Sequence, residues 1–162
     1  MRLVIADTGP VNYLVLIGHI EILPALFERV TLPLAVKDEL ADQDTPAVIR
    51  NWIATLPEWI EIRLARALLT DAAIAELGAG ETEAITLATE LKADLLLMDD
   101  RRGVTVAVGR GLNVTGTMGL LARAANHGIL NLAEAFEKLK RTNFRYRQET
   151  MDLLLEESQG KS

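Results

Sequence analysis

Short apolar runs alternate with helix-period stripes along most of the chain. Leu3-Val4-Ile5-Ala6 is a run suited to a strand buried on both faces, and Asp7-Thr8-Gly9-Pro10 breaks it. Pro10 fits the first turn of a helix, and Tyr13, Leu14 and Ile17, then Ile20, Leu23, Leu26 and Phe27, predict one or two short helices divided at Gly18. Val30-Thr31-Leu32 predicts a second strand, and Pro33 opens a helix through about Ala41. Asp44-Thr45-Pro46 starts another helix, with Val48, Ile49, Trp52 and Ile53 on one side. Trp59–Ile62 reads as an edge strand, and a helix over about 69–77 ends at Gly78.

The second half repeats the alternation more clearly. A helix over Gly80–Leu91 leads into the strand Asp94-Leu95-Leu96-Leu97-Met98, which ends in Asp99-Asp100. Helix 101–109, strand 112–115 and helix 117–126 follow, and helices over about 131–141 and 146–157 close the pattern. Strand–helix alternation of this kind predicts an α/β domain with a mostly parallel sheet and helices on both faces. Ligands in such sheets bind beyond the carboxyl ends of the strands, which singles out Asp7 and Asp99-Asp100.

Composition narrows the chemistry. The 162 residues are 49% hydrophobic and 25% charged, which suits one packed domain over 1–162 and excludes a disordered chain. With no cysteine and only His19 and His127, thiol catalysis, disulfides and zinc sites built on Cys or several His are excluded. Serine occurs only at 158 and 162, so a serine nucleophile is excluded as well. The N-terminal apolar run is too short for a signal peptide, and no stretch reaches the roughly 18–20 apolar residues of a membrane span. A cytoplasmic protein with no membrane partner is expected.

Charge is segregated. Residues 1–100 carry 7 Lys/Arg against 17 Asp/Glu, whereas residues 101–147 carry 9 Lys/Arg against 2 Glu. The basic stretch comprises Arg101, Arg102, Arg110, Arg123, Lys138, Lys140, Arg141, Arg145 and Arg147. It reads either as a phosphate-binding surface beside an acidic site or as ordinary solvated helix faces.

Four acids are candidates for that site. Asp7 ends an apolar strand, where it could also cap the following helix. Glu39 sits at the margin of an apolar stripe, next to Leu40 and three residues after Val36. Glu81 shares the inward face of its helix with Ala84 and Ile85, while Glu83 projects elsewhere with Thr86 and Glu90. Asp99 and Asp100 follow the leucine strand, and strand alternation predicts that only one enters a shared site, Asp99 first, with Asp100 a helix cap or a further ligand. Carboxylates converging in a poorly solvated pocket repel one another unless they are protonated or a cation neutralises them, and all-oxygen donors suit Mg²⁺ or Mn²⁺.

Two local motifs lead nowhere. Ala6-Asp7-Thr8-Gly9 mimics the aspartic-protease triplet, but those folds are β-rich. Gly78-Ala79-Gly80-Glu81-Thr82 lacks the lysine of a phosphate-binding P-loop.

The acids, in order, resemble the PIN-domain ribonucleases, particularly the compact prokaryotic group related to the VapC toxins of toxin–antitoxin pairs. Val4-Ile5-Ala6-Asp7-Thr8-Gly9-Pro10-Val11-Asn12 is similar to the family's first motif, with Thr8 and Asn12 in supporting places. The segments 32–40 around Glu39, 78–88 around Glu81 and 95–103 around Asp99-Asp100 resemble the next three, and 111–121 resembles the strand and helix that follow. The likeness covers about residues 2–130, with helices 131–157 beyond it. Glutamate stands at 81 where many members have aspartate, so Glu81 and Glu83 both compete for that place, and Gly9 stands where a second hydroxyl is common.

The resemblance implies a three-layer α/β/α domain and Mg²⁺- or Mn²⁺-dependent hydrolysis of RNA. It implies Asp7, Glu39, Glu81 and Asp99 as catalytic metal ligands, with Asp100 as a further ligand and Thr8 holding a water. It also implies a homodimer and a cognate antitoxin. Arg101, Arg102, Lys138, Lys140, Arg141, Arg145 and Arg147 become candidates for holding RNA phosphates. A catalytically weak PIN-like scaffold, and an RNA-processing or DNA-directed nuclease, stay open. A phosphoacceptor receiver is disfavoured because no lysine lies between Lys92 and Lys138.

Overall fold

A computed structural model describes residues 2–160; Met1, Lys161 and Ser162 of the expected single domain lie outside the described residues. Five parallel strands form one sheet in the order β3-β2-β1-β4-β5: β1 Val4–Ala6, β2 Val30–Pro33, β3 Ile60–Arg63, β4 Leu95–Leu97 and β5 Val114–Thr115. Between and after them lie α1 Thr8–Leu16, α2 Ile22–Phe27, α3 Leu34–Leu40, α4 Ala47–Ala54, α5 Ala72–Ala75, α6 Ala79–Glu90, α7 Arg101–Gly109, α8 Thr117–Asn126, α9 Leu132–Lys140 and α10 Gln148–Gly160. Among the described residues no helix is long and apolar enough to cross a membrane.

The central strands are uniformly apolar because both their faces are covered. Val4, Ala6, Leu95 and Leu97 face a large core shared with α1, α2, α3, α4, α8, α9 and α10. Ile5, Leu96 and Met98 face a smaller one under α5, α6 and α7. The two-residue period of a strand thus builds the α/β/α layers directly. Burying side chains such as Ile5, Leu32, Leu97 and Phe136, each almost wholly enclosed, contributes about 1.5–3 kcal/mol apiece.

Gly18 adopts φ +76° between α1 and α2, the left-handed backbone that favours glycine and divides the predicted helical stretch. The helix expected over 69–77 is a single turn, Ala72–Ala75. Residues 65–69 instead run as irregular chain along α6, whose side chains take up their N–H groups: Glu83 accepts from Ala65, Thr86 from Leu69, and Glu90 from Arg66 and Ala67. Those three side chains do share one face, as the helical spacing predicts, but the 65–69 segment covers it.

Candidate active site

The carboxyl ends of β1 and β4, the middle of α3 and the first turn of α6 bring the acids to one end of the sheet. Asp7 directly follows β1, its N–H bonded to the Leu97 carbonyl (2.8 Å). Its side chain is 4% exposed, and its Oδ1 is buried with no hydrogen-bond partner. Burial pushes the carboxyl up to about 7, opposed by the Thr8 N–H and helped by the charges of Glu81, Glu39 and Asp100.

Glu39 is anchored rather than solvated. Its Oε2 accepts from the Thr8 hydroxyl and its Oε1 from the Gly80 N–H (2.9 Å). Glycine at 80 leaves room for this approach, since a Cβ there would stand 2.7 Å from Glu39 Oε1 and push the carboxylate aside. Thr8, expected to hold a water, therefore holds Glu39. Asn12, half-buried on α1, has no side-chain hydrogen bond among the described residues.

Glu81 is half-buried in the first turn of α6, and burial raises its pKa, with Asp100 and Glu39 adding and backbone N–H groups opposing. Glu83 is the more enclosed of the two, at 8% exposed. Its oxygens are committed to the N–H groups of Ala35 (2.8 Å) and Ala65 (3.3 Å), so Glu81 is the one facing the other acids.

Asp99 and Asp100 both border one cleft, but only Asp100 bears electrostatically on Asp7 and Glu81. The strand ends at Leu97, so side-chain alternation no longer governs Asp99 and Asp100. Asp99 accepts from the Thr117 N–H (2.7 Å) and hydroxyl (2.6 Å), beside Gly116, where a Cβ would stand 2.6 Å from its Oδ1. Burial raises its pKa and both Thr117 bonds lower it. Thr117 went unnoticed in the sequence; its only signal is a hydroxyl at the start of the helix after β5. Asp100 caps α7 through the Gly103 N–H (2.8 Å), and its charge reaches Asp7 and Glu81.

Asp7, Glu39, Glu81 and Asp100 are thus electrostatically linked, with Asp99 at the adjoining cleft wall. The expected gathering of ligands around one ion is incomplete: among the described residues no three carboxylates or imidazoles stand as a ready metal-binding group. Glu39 and Asp99 each have both oxygens held by neighbouring N–H and hydroxyl groups. A divalent cation still fits the donor set, which is all oxygen and includes the orphaned buried Oδ1 of Asp7.

The cationic residues divide. Arg101, Arg145 and Arg147 line a cleft of about 830 Å³ with Asp99 and Asp100. Lys138 and Arg141 line a separate groove of about 490 Å³, and Asn143 borders both. Tyr13 donates to Asn143 Oδ1 (2.9 Å) and meets Phe144 edge-on at 4.9 Å, fixing the start of the segment that carries Arg145 and Arg147. Lys140 pairs with Glu137, Arg110 with Asp71, and Arg123 lies over the Phe27 ring. Arg102 is exposed and lines neither depression.

A family model described as a PIN domain matches residues 3–159, including the C-terminal helices that the sequence likeness had left beyond its limit. No curated protein and no solved structure matches the chain.

Proposed function

The chain belongs to the PIN-domain family, a nuclease fold, and from that premise we propose that it is a metal-dependent endoribonuclease acting on RNA phosphodiesters. The observation that carries this reading is Asp7: a carboxylate oxygen buried without a partner, beside three further acids. Burying like charges together is unfavourable unless a cation or a proton is shared among them. Asp7, Glu39, Glu81 and Asp99 would hold Mg²⁺ or Mn²⁺, with Asp100 as a further ligand. When bound, such a cation supplies an activated water and stabilises charge on the phosphate.

The chain's own groups have separate tasks. Asp7 would offer its carboxylate to the cation; without one, burial holds its carboxyl up at about 7. The Thr8 hydroxyl and Gly80 N–H orient Glu39, and Thr117 orients Asp99. Arg101, Arg145 and Arg147 form a cationic wall beside Asp99 and Asp100, suited to phosphate oxygens. Lys138 and Arg141 offer a second cationic surface across Asn143. Arg102 and the Glu137-paired Lys140 take outlying places in this scheme.

The biological role we favour, on the resemblance of the motifs to the VapC group, is the toxin of a toxin–antitoxin pair, working in the cytoplasm as a homodimer. A second reading, a catalytically weak PIN module, is favoured by the commitment of the Glu39 and Asp99 oxygens to groups of the chain itself. Cleavage of RNA with Mg²⁺ or Mn²⁺ decides between them. Wild type should cut, and folded Asp7→Asn and Glu81→Gln should both fall to background. Unchanged cleavage by Asp7→Asn would remove the site, and a wild type that binds Mn²⁺ without cutting would favour the second reading. Growth arrest on expression, relieved by Asp7→Asn, tests the toxin role.

A further inference from the structure

Glu83 sits outside the linked acids yet is more enclosed than Glu39 or Glu81, and no lysine or arginine pairs with it among the described residues. A buried carboxylate is tolerated only where donors satisfy it. Here they are two backbone N–H groups from different segments: Ala35, the second residue of α3, at 2.8 Å, and Ala65, just beyond β3, at 3.3 Å.

The contact has a counterpart running the other way. α6 sends the Glu83 carboxylate to an N–H in the first turn of α3, while α3 sends the Glu39 carboxylate to the Gly80 N–H in the first turn of α6. Ala35 and Glu39 are four residues apart and Gly80 and Glu83 three. The two bonds therefore sit about 6 Å apart along α3 and about 4.5 Å apart along α6, and they run in opposite order along the two helices. Together the bonds close a ring that fixes both the depth and the rotation of one helix against the other. A single bond would leave a pivot. Glu39 and Glu81, one on each helix, are the two acids whose separation the ring controls.

We propose that Glu83 is a positioning residue for the acidic site: by closing the second bond of the α3–α6 ring, it sets the spacing of Glu39 and Glu81 that a divalent cation meets. This rests on the metal-dependent reading given above. It assigns Glu83 no contact with cation or substrate, and it explains why two glutamates stand two residues apart at the start of α6. Glu81 faces the ion, whereas Glu83 holds the helix carrying its partner ligand.

Glu83→Gln tests this. Glutamine keeps the shape but can accept at one oxygen only, and its NH₂ confronts the other N–H as a donor against a donor. Mn²⁺ affinity, measured by calorimetry without RNA, should fall about ten- to a hundredfold, as for other residues that orient metal ligands. The Mn²⁺ concentration needed for half-maximal RNA cleavage should rise by the same factor, with cleavage partly restored at saturating Mn²⁺. Glu81→Gln should not be restored by excess metal. A second variant, Ala35→Pro, deletes the donor rather than the acceptor and leaves every acid in place. The N–H groups of a first helical turn have no partner within the helix, so proline at 35 removes only the bond to Glu83; this variant should lose Mn²⁺ affinity to a similar extent, and it decides the matter if Glu83→Gln does not fold. A folded Glu83→Gln or Ala35→Pro with wild-type Mn²⁺ affinity overturns the inference while leaving the nuclease reading intact. A wild type that binds no Mn²⁺ overturns both.

Discussion

Asp7→Asn should stabilise the metal-free protein at alkaline pH while abolishing its proposed activity. Unfolded, the Asp7 carboxyl has its ordinary pKa of 3.8, and folded it titrates at about 7. Above 3.8 the folded state therefore binds more protons than the unfolded one. Wild-type stability falls as pH rises from about 4 through 7, and levels off once Asp7 is ionised in both states. At 1.36 kcal/mol per pH unit, the charge costs on the order of 4 kcal/mol at pH 8 and on the order of 2 kcal/mol at pH 5. Asparagine removes the charge but leaves a buried polar atom in the same unpartnered place, which costs about 1–3 kcal/mol. The net expectation is a variant about 1–3 kcal/mol more stable than wild type at pH 8, and within about 1 kcal/mol of it at pH 5. Chemical denaturation in EDTA at the two pH values measures the difference. Adding Mn²⁺ at a hundred times its Kd should raise wild-type stability by about 2.7 kcal/mol and the variant much less. A difference that does not change between pH 5 and pH 8, or a variant less stable at pH 8, would refute the claim that Asp7 is held ionised at a cost.

Gly80→Ala places a methyl group 2.7 Å from Glu39 Oε1. It should lower Mn²⁺-dependent cleavage with little change in melting temperature, because alanine's helix propensity, about 1 kcal/mol better than glycine's, offsets the displacement of Glu39; wild-type activity in a correctly folded variant would contradict the packing described. Arg145→Ala combined with Arg147→Ala should weaken binding of an RNA oligonucleotide in EDTA. The slope of log affinity against log salt should become shallower by about 1–2, measured by fluorescence anisotropy, and an unchanged slope would place the phosphate path elsewhere.

The sheet was legible because its inner strands are short apolar runs and each ends at a breaker: Val4–Ala6 before Asp7-Thr8-Gly9-Pro10, Leu95–Leu97 before Asp99-Asp100. Asp7 and the two aspartates were legible by the same logic, since a carboxylate after a doubly buried strand must emerge at the sheet's end. What was hidden depends on partners far along the chain. Glu83 reads as outward from its own helix, and only the arrival of residues 65–69 over α6 makes that side interior. The separate tasks of Asp99 and Asp100 depend on Thr117, which reaches Asp99 because β5 pairs beside β4. Charge counting along 101–147 likewise merged residues that the fold disperses: Arg123 covers Phe27 and Arg110 answers Asp71, while Arg145 and Arg147 reach the cleft through the hold of Tyr13 on Asn143 and Phe144.

That hold ties the last quarter of the chain to its first helix. Phe136, Leu139, Phe144 and Met151 fill the same interior as Val4 and Leu14. A truncation after residue 130 would remove α9 and α10 from that interior, expose the apolar side chains of α8 that they cover, and take away two of the three arginines at the cleft. The smallest autonomous unit is therefore larger than the stretch bearing the acidic motifs. Anyone trimming the protein to those motifs should obtain an aggregating fragment in place of a minimal enzyme.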